Sequence, residues 1–464
     1  MTSSPDDVSP VQAGAGVTPA EAGAQQSSRV VSLGSSSVSR RRVVSLYYGF
    51  QFFFPLHLWL PVFYEYQRRM GLSDAQIFSI QSFYYLVFCL FEIPTGLFAD
   101  RKGYRTSLRA GALTILAANL LPVFWTSAAG FLVHFTLIAL ARSLVSGASN
   151  AYLYEYLKAQ GVVEEYKGVE GKARAYGLVG KVVGWAGVGA MMQWHVSLPY
   201  SLSALCGLAA CVYAWRLPAQ AAPQHISDAG RSPTESGSGI FSQQSSGTLP
   251  AGLRGLWETR VLPVFAALRG SRVLLLLMLQ GTGIFVLVRI GQINLYQPVL
   301  QSKSFSVASY GWIMSVMTLF EAWGSSRHDL FRGKLSDISA VFILTGAIAA
   351  SLSLMAVSGQ AGTVSALLLF STAAGLSYPI QRQVLNDAIA DSRLRATLLS
   401  VESILDRVVC AGVAPFIAVF VAQGRVGSFL HIAAAAAILC MAGIAVALRT
   451  VQFPAGEAEP EPAG

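Results

Sequence analysis

Charge is scarce in this chain. Asp, Glu, Lys and Arg make up 12% of its 464 residues, about half the share usual in a soluble globular domain. So little charge cannot solvate the surface of a soluble protein of this length. Cysteine is sparse too. Cys89, Cys206, Cys211, Cys410 and Cys440 all sit in apolar stretches, and their spacing suits no metal. An odd number in such surroundings reads as small hydrophobes rather than a disulfide framework. The chain has no Gly-rich phosphate loop, no His-Glu metalloprotease pattern and no nucleophile elbow. Those absences argue against ATP-driven transport and against the common hydrolytic enzymes, and no cofactor is implied.

What is present in their place is hydrophobicity, 53% of the residues. It comes in runs of about 20 residues, long enough to cross a bilayer as helix. The runs place spans at 43–64, 75–97, 107–126, 130–152, 173–194 and 198–216, then at 271–295, 307–326, 338–358, 361–382, 396–421 and 427–448. The expected fold is an all-α membrane protein with twelve transmembrane helices in two six-helix halves, 43–217 and 271–450. Residues 1–42 and 451–464 read as disordered tails, and the Ser-, Gly-, Gln- and Pro-rich stretch 218–250 as a flexible linker. In 251–270, Leu253, Leu256, Trp257, Val261, Val264, Phe265 and Leu268 alternate with Arg254, Arg260 and Arg269. That spacing suits an amphipathic helix lying on the membrane surface. Ser39-Arg40-Arg41-Arg42 superficially resembles a twin-arginine signal. The apolar run after it is too long for one and has no small-residue cleavage site, so it reads as an uncleaved first span.

Between the second and third runs stands Gly96-Leu-Phe-Ala-Asp100-Arg101-Lys-Gly103-Tyr-Arg105-Thr-Ser-Leu108. It resembles the signature loop of the major facilitator superfamily, G-x-L-a-D-r-x-G-r-k-x-x-l, with Tyr104 where the family often has a second basic residue. The resemblance implies a secondary transporter and puts this loop on the cytoplasmic side. Gly103 permits the tight turn. Asp100 is placed to face the positive N-terminus of the eleventh span near Ala396, and Arg101 to pair with Glu155. By resemblance, Gly96, Asp100, Arg101, Gly103, Arg105 and Glu155 form a latch that holds the halves together when the outer gate is open.

Charge asymmetry gives the same orientation by a separate route. Loops assigned to the cytoplasm carry Arg101, Lys102, Arg105, Lys158, Lys167, Lys172, Arg174, Arg327, Arg332, Lys334, Arg393 and Arg395. Those assigned outside carry mainly Arg68, Arg69, Lys303 and Arg425. Both termini are therefore expected in the cytoplasm. The net charge of +9 serves orientation and does not suggest a nucleic-acid partner. The absence of N-x-S/T sequons from the outer loops fits a bacterial inner membrane.

A charge at mid-bilayer costs at least about 2.5–3.5 kcal/mol, so it marks a cavity or a partner. Glu92 and Arg142 fall at similar depths and are expected to pair. Glu402 and Asp406 lie four residues apart, on one face of the eleventh span. They are the first proton-coupling candidates, followed by Glu321 and Glu92, with Arg407 placed to neutralise Asp406. Arg142, Arg289, His57, Tyr84 and Gln292 are the candidates for the substrate cavity. Of the aromatic set Tyr47, Tyr48, Phe52, Phe53, Phe54, Trp59, Tyr84 and Tyr85, helix packing accounts for most.

Phe91–Gly96, Ser146-Gly147-Ala148, Leu153-Tyr154-Glu155, Gln297-Pro298 and Arg395–Ser400 resemble a bacterial drug- and metabolite-exporter branch of the superfamily. The antiporter pattern R-x-x-Q-G is not met after Arg142, and Gly180, Gly184, Gly187 and Gly189 stand without the proline of the companion pattern. The functional expectation is proton-coupled antiport, as a monomer, that exports a small organic molecule. Direction is not written in the helices, so uptake of a metal chelate or nutrient is the transport alternative. A transporter-like receptor or lipid scramblase is the alternative of another class.

Overall fold

The computed structural model describes residues 40–218, 262–327, 335–389, 391 and 394–450, and all regular structure within them is helical. By length and composition nine helices among the described residues can cross a membrane. A pair bent by 42°, Val163–Ala186 with Val188–Trp194, makes ten. The broken segment 40–69 and the helix Val307–Ser326 pack into the same bundle and complete twelve. The order is then 40–69, Asp74–Lys102, Tyr104–Phe124, Ala128–Ala159, Tyr166–Trp194 and Leu198–Arg216 in the first half. The second half runs Arg272–Ser302, Val307–Ser326, Asp337–Val357, Gln360–Ala388, Arg395–Ala422 and Val426–Thr450.

Helix starts follow serine caps. The Ser73 side chain accepts from Gln76 N in a capping box, and Ser127, Ser271, Ser306 and Ser336 cap the fourth, seventh, eighth and ninth spans. Gly103, at φ 88°, ends the second span and opens the third, so the signature loop is a single left-handed residue between two helices. Several helices outrun their apolar stretches at this end of the bundle. The fourth reaches Ala159, the fifth begins at Tyr166 and the tenth reaches Ala388. Hydropathy marks only the lipid-buried turns, whereas helical hydrogen bonding continues into polar ones.

Helix is already present at residue 40, and Arg40 pairs with Glu165 at 3.2 Å. Residues 40–42, expected in the tail, are therefore helical. The expected linker 218–250 lies outside the described residues apart from Pro218, as do both tails, apart from residues 40–42. Of the interfacial segment, Leu262–Gly270 is helical.

The first span is not one helix. It breaks after residue 53, and a 3-10 turn at Leu60–Val62 leads into Phe63–Arg69, with Pro55 and Pro61 in the break. Broken backbone at membrane depth must find partners elsewhere in the protein. Leu58 N donates to Ser203 Oγ at 2.8 Å, and Trp185 Nε1 donates to His57 O at 2.9 Å. Gln297, from the other half, accepts from Tyr64 N at 3.0 Å and Glu65 N at 3.2 Å, and donates to Leu60 O at 3.2 Å. The seventh span carries a matching irregularity, a π-helical stretch at Ile290–Leu295.

The halves meet along two seams, second span on eleventh and fifth on eighth. Glycines set the approach at the end away from the signature loop. A Cβ on Gly311 would meet the Trp185 carbonyl, and one on Gly189 the carbonyls of Val307 and Ala308. Toward the signature loop the contacts thin out. Ile93, Pro94, Gly96 and Asp100 are exposed, and nothing lies within 4 Å of a Cβ placed on Gly96. Among the described residues the bundle is closed at one end and open at the loop end.

Candidate substrate cavity and embedded charges

Between the halves lies a cavity of about 540 Å³. The broken first span supplies Phe54, His57, Trp59 and Phe63, and the second supplies Gln81 and Tyr84. The fourth and fifth add Phe135, Arg142, Lys181 and Trp185. Gln292 comes from the π-helical stretch, and Met314, Met317, Thr318 and Glu321 from the eighth span. Both halves therefore line one site, and the two irregular helices deliver polar side chains to it.

His57 stacks on Trp59 with ring centroids 5.5 Å apart, and its Nδ1 is buried without a hydrogen-bond partner. Gln81 is equally buried, with Nε2 unpartnered. Arg142 donates to Tyr84 Oη at 2.9 Å and lies 5.8 Å from the Phe88 ring centroid. Gln292 donates to Glu321 at 2.8 Å. Neither Lys181 nor Glu321 makes an ion pair among the described residues, although Lys181 lies within electrostatic reach of both Arg142 and Glu321.

The cavity thus gathers His57, Tyr84, Arg142, Gln292 and Glu321 from the sequence candidates. It leaves out Arg289, Glu92, Glu402 and Asp406. Lys181, Gln81 and Trp185 were not anticipated. Lys181 is the one cation in the apolar stretch 175–193, and that isolation is the signal that singles it out. From the aromatic set only Phe54, Trp59 and Tyr84 reach the cavity. Tyr47 instead bonds Ser149 within its own half, and Tyr85 donates to Asn294 across the halves at 2.9 Å.

The remaining charges form a separate group where the seventh, tenth and eleventh spans meet the second. Arg382 donates to Glu402 at 2.7 Å, and Arg289 to Asp406 at 2.8 Å. The Arg407 guanidinium donates to Ser403 O at 2.6 Å and stands 4.2 Å above the Phe88 ring. It lies 4.0 Å from the Glu92 carboxylate. Two expected pairings are therefore replaced. Asp406 is neutralised by Arg289 and not by its neighbour Arg407, because adjacent residues on a helix point about 100° apart. Glu92 meets Arg407 across the halves rather than Arg142, which turns to Tyr84. Depth alone had matched Glu92 with Arg142, but depth does not fix the direction in which a side chain leaves its helix. Glycine admits the Glu402 carboxylate, since a Cβ on Gly281 would collide with it and with the Gln381 amide.

The signature loop faces solvent. Asp100, Arg101 and Glu155 are exposed, and no ion pair joins them among the described residues. Arg105 is half-buried.

Solved structures share this architecture at low identity. The nucleoside transporter NupG matches at 13% identity with a TM-score of 0.69, covering 88% of this chain and 100% of its own. A POT family transporter in complex with a thioalcohol-conjugated peptide matches at 14% and 0.65, covering 88% and 96%. A D-xylose–proton symporter matches at 13% and 0.62, covering 86% and 95%. No curated protein matches the sequence. The family model of the Major Facilitator Superfamily matches residues 43–410. That match spans most of both helical halves, so the chain is an integral membrane protein belonging to the major facilitator superfamily, a family of secondary transporters and not of enzymes.

Proposed function

We propose that the chain exports a small organic molecule in exchange for protons, by alternating access of the cavity between its halves. The observation that carries this reading is Glu321. It is a carboxylate in the wall of a cavity lined by both halves, held by a neutral amide and not by a cation. A proton carrier must release its proton on one side and regain it on the other, and a carboxylate locked to an arginine resists regaining it. Glu402 and Asp406 are both locked in this way, so Glu321 moves ahead of them as the coupling residue. A proton on Glu321 and a cargo in the same cavity act on one electrostatic environment, which is what coupling requires.

A volume of about 540 Å³ is ordinary for a small organic ligand. Among its fold relatives, the D-xylose–proton symporter couples a polar organic molecule to protons by its name. The open end carries the signature loop, whose basic flanks put it on the cytoplasmic side. Cargo then enters from the cytoplasm. The exporter-like segments Phe91–Gly96 and Arg395–Ser400 support the outward direction.

Everted vesicles acidified inside provide the test. Incubated with a small-molecule extract of the expression host, vesicles holding the protein should accumulate compounds that empty vesicles do not. Glu321→Gln vesicles should lose the dependence on the pH gradient. Failure of any compound to accumulate under the gradient sinks the export reading.

A further inference from the structure

The charges in the cavity wall do not cancel. Arg142 and Lys181, both from the first half, face Glu321 from the second. The sum is one net positive charge in a site walled by Trp59, Phe63, Phe135, Trp185, Met314 and Met317. Lys181 and Glu321 are half-buried among these walls, and a charge without a counterion is costly there. Arg142 spends one N–H on the neutral Tyr84 hydroxyl and holds no carboxylate. Lys181 has neither a hydrogen bond nor an ion pair among the described residues.

His57 and Gln81 line the same space, both buried. His57 is 8% exposed and Gln81 is 2% exposed. His57 Nδ1 and Gln81 Nε2 find no partner. Buried polar atoms in folded proteins are nearly always satisfied.

From this we propose that the cargo is an organic monoanion with an aromatic or apolar body, its acid group held by Arg142 and Lys181. The inference rests on the transport reading above and adds the charge class of the cargo. With Glu321 ionised, as exchange for a proton requires while cargo is bound, a monoanion brings the three embedded charges to neutrality. A cation would leave two positive charges beside a third. A zwitterion would leave the site as positive as it was. The acid oxygens accept from the guanidinium and the ammonium. The body packs on the apolar wall formed by Phe63, Phe135, Trp185, Met314 and Met317.

The test uses the full chain in lipid nanodiscs, without a gradient, so that binding is read apart from transport. The probes are phenylacetate and naphthylacetate, their amides, the matched phenethylamine and naphthylethylamine, and phenylalanine as the zwitterion. Calorimetry and thermal unfolding read binding. The two acids should bind saturably, and the amides and amines should not. Lys181→Gln and Arg142→Gln should each weaken the acids by about tenfold to a hundredfold, while Lys181→Arg keeps them. Equal or tighter binding of the amines, the amides or phenylalanine overturns the proposal, and so does absence of binding by both acids. Should Lys181→Gln not fold, the charge series on the unmodified chain still decides. Gradient-driven accumulation of a cationic compound in the vesicles would leave export standing and remove the monoanion. Acid binding without any accumulation would do the reverse.

Discussion

Gln297 joins the halves at the closed end, and its replacement by leucine isolates that role. Its side chain is 1% exposed. It comes from the second half, yet it satisfies three backbone groups of the first: Tyr64 N, Glu65 N and Leu60 O. The two N–H groups belong to the first turn of Phe63–Arg69 and have no intrahelical partner. Leucine keeps about the same bulk and removes all three bonds. At a net ~0.5–1.5 kcal/mol per bond the loss is about 1.5–4.5 kcal/mol, or roughly ten- to a thousandfold in an equilibrium. The loss falls on closure rather than on the fold of either half, because opening hydrates the three groups. Spin labels at Ala75→Cys and Ser302→Cys, exposed on opposite halves, report the gap in a background without the five native cysteines. Gln297→Leu should enlarge the long-distance population in a substrate-free sample. Gln297→Glu, which keeps two acceptors and loses the donor, should fall between. An unchanged distance distribution in a well-folded Gln297→Leu protein would refute the argument, since closure would then not depend on these bonds.

Three other substitutions test separate parts of the structure. Gly311→Val places carbon where the Trp185 carbonyl now sits. It should raise impermeant maleimide labelling of Met314→Cys from the end away from the signature loop, and unaltered labelling would mean the close approach is dispensable. Asp100→Asn should lower the transport rate per folded molecule in proteoliposomes. It should shift stability by no more than about 0.5 kcal/mol, because the residue is exposed in this conformation; an unchanged rate would reduce Asp100 to an orientation signal. Arg382→Gln leaves Glu402, whose side chain is 1% exposed, without its partner. It should cost about 3–5 kcal/mol in unfolding experiments, and the double change with Glu402→Gln should recover most of it. A single variant as stable as the parent would show that the pair is not a buried ion pair.

The spans were legible because lipid imposes one requirement on sequence, about 20 apolar residues per crossing. Arg272–Ser302 and Val426–Thr450 satisfy it plainly. The breaks were less legible. The stretch 43–64 reads as one apolar run, but Pro55 and Pro61 interrupt it, and the break persists only because Ser203, Trp185 and Gln297 satisfy the freed backbone. Those partners lie 128 or more positions away in the chain, so no local pattern announces them. The π-helical stretch at Ile290–Leu295 is hidden for the same reason.

The charges divide along a similar line. That Glu92, Arg142, Arg289, Glu321, Glu402 and Asp406 matter follows from their cost in lipid, and sequence alone finds them. Which of them share a space is set by helix rotation, and one sequence does not reveal it. A rotation of one residue, about 100°, separates Arg407, turned to Phe88 and Glu92, from Asp406, turned to Arg289. The same geometry separates two tasks. The seventh, tenth and eleventh spans pair Arg289 with Asp406 and Arg382 with Glu402 inside the second half, while Arg407 reaches Glu92 across the halves. The fourth, fifth and eighth leave Arg142, Lys181 and Glu321 free of ion pairs in the cavity. A site built to exchange partners must contain charges that the fold has not already neutralised, and among the described residues this chain keeps them where its halves part.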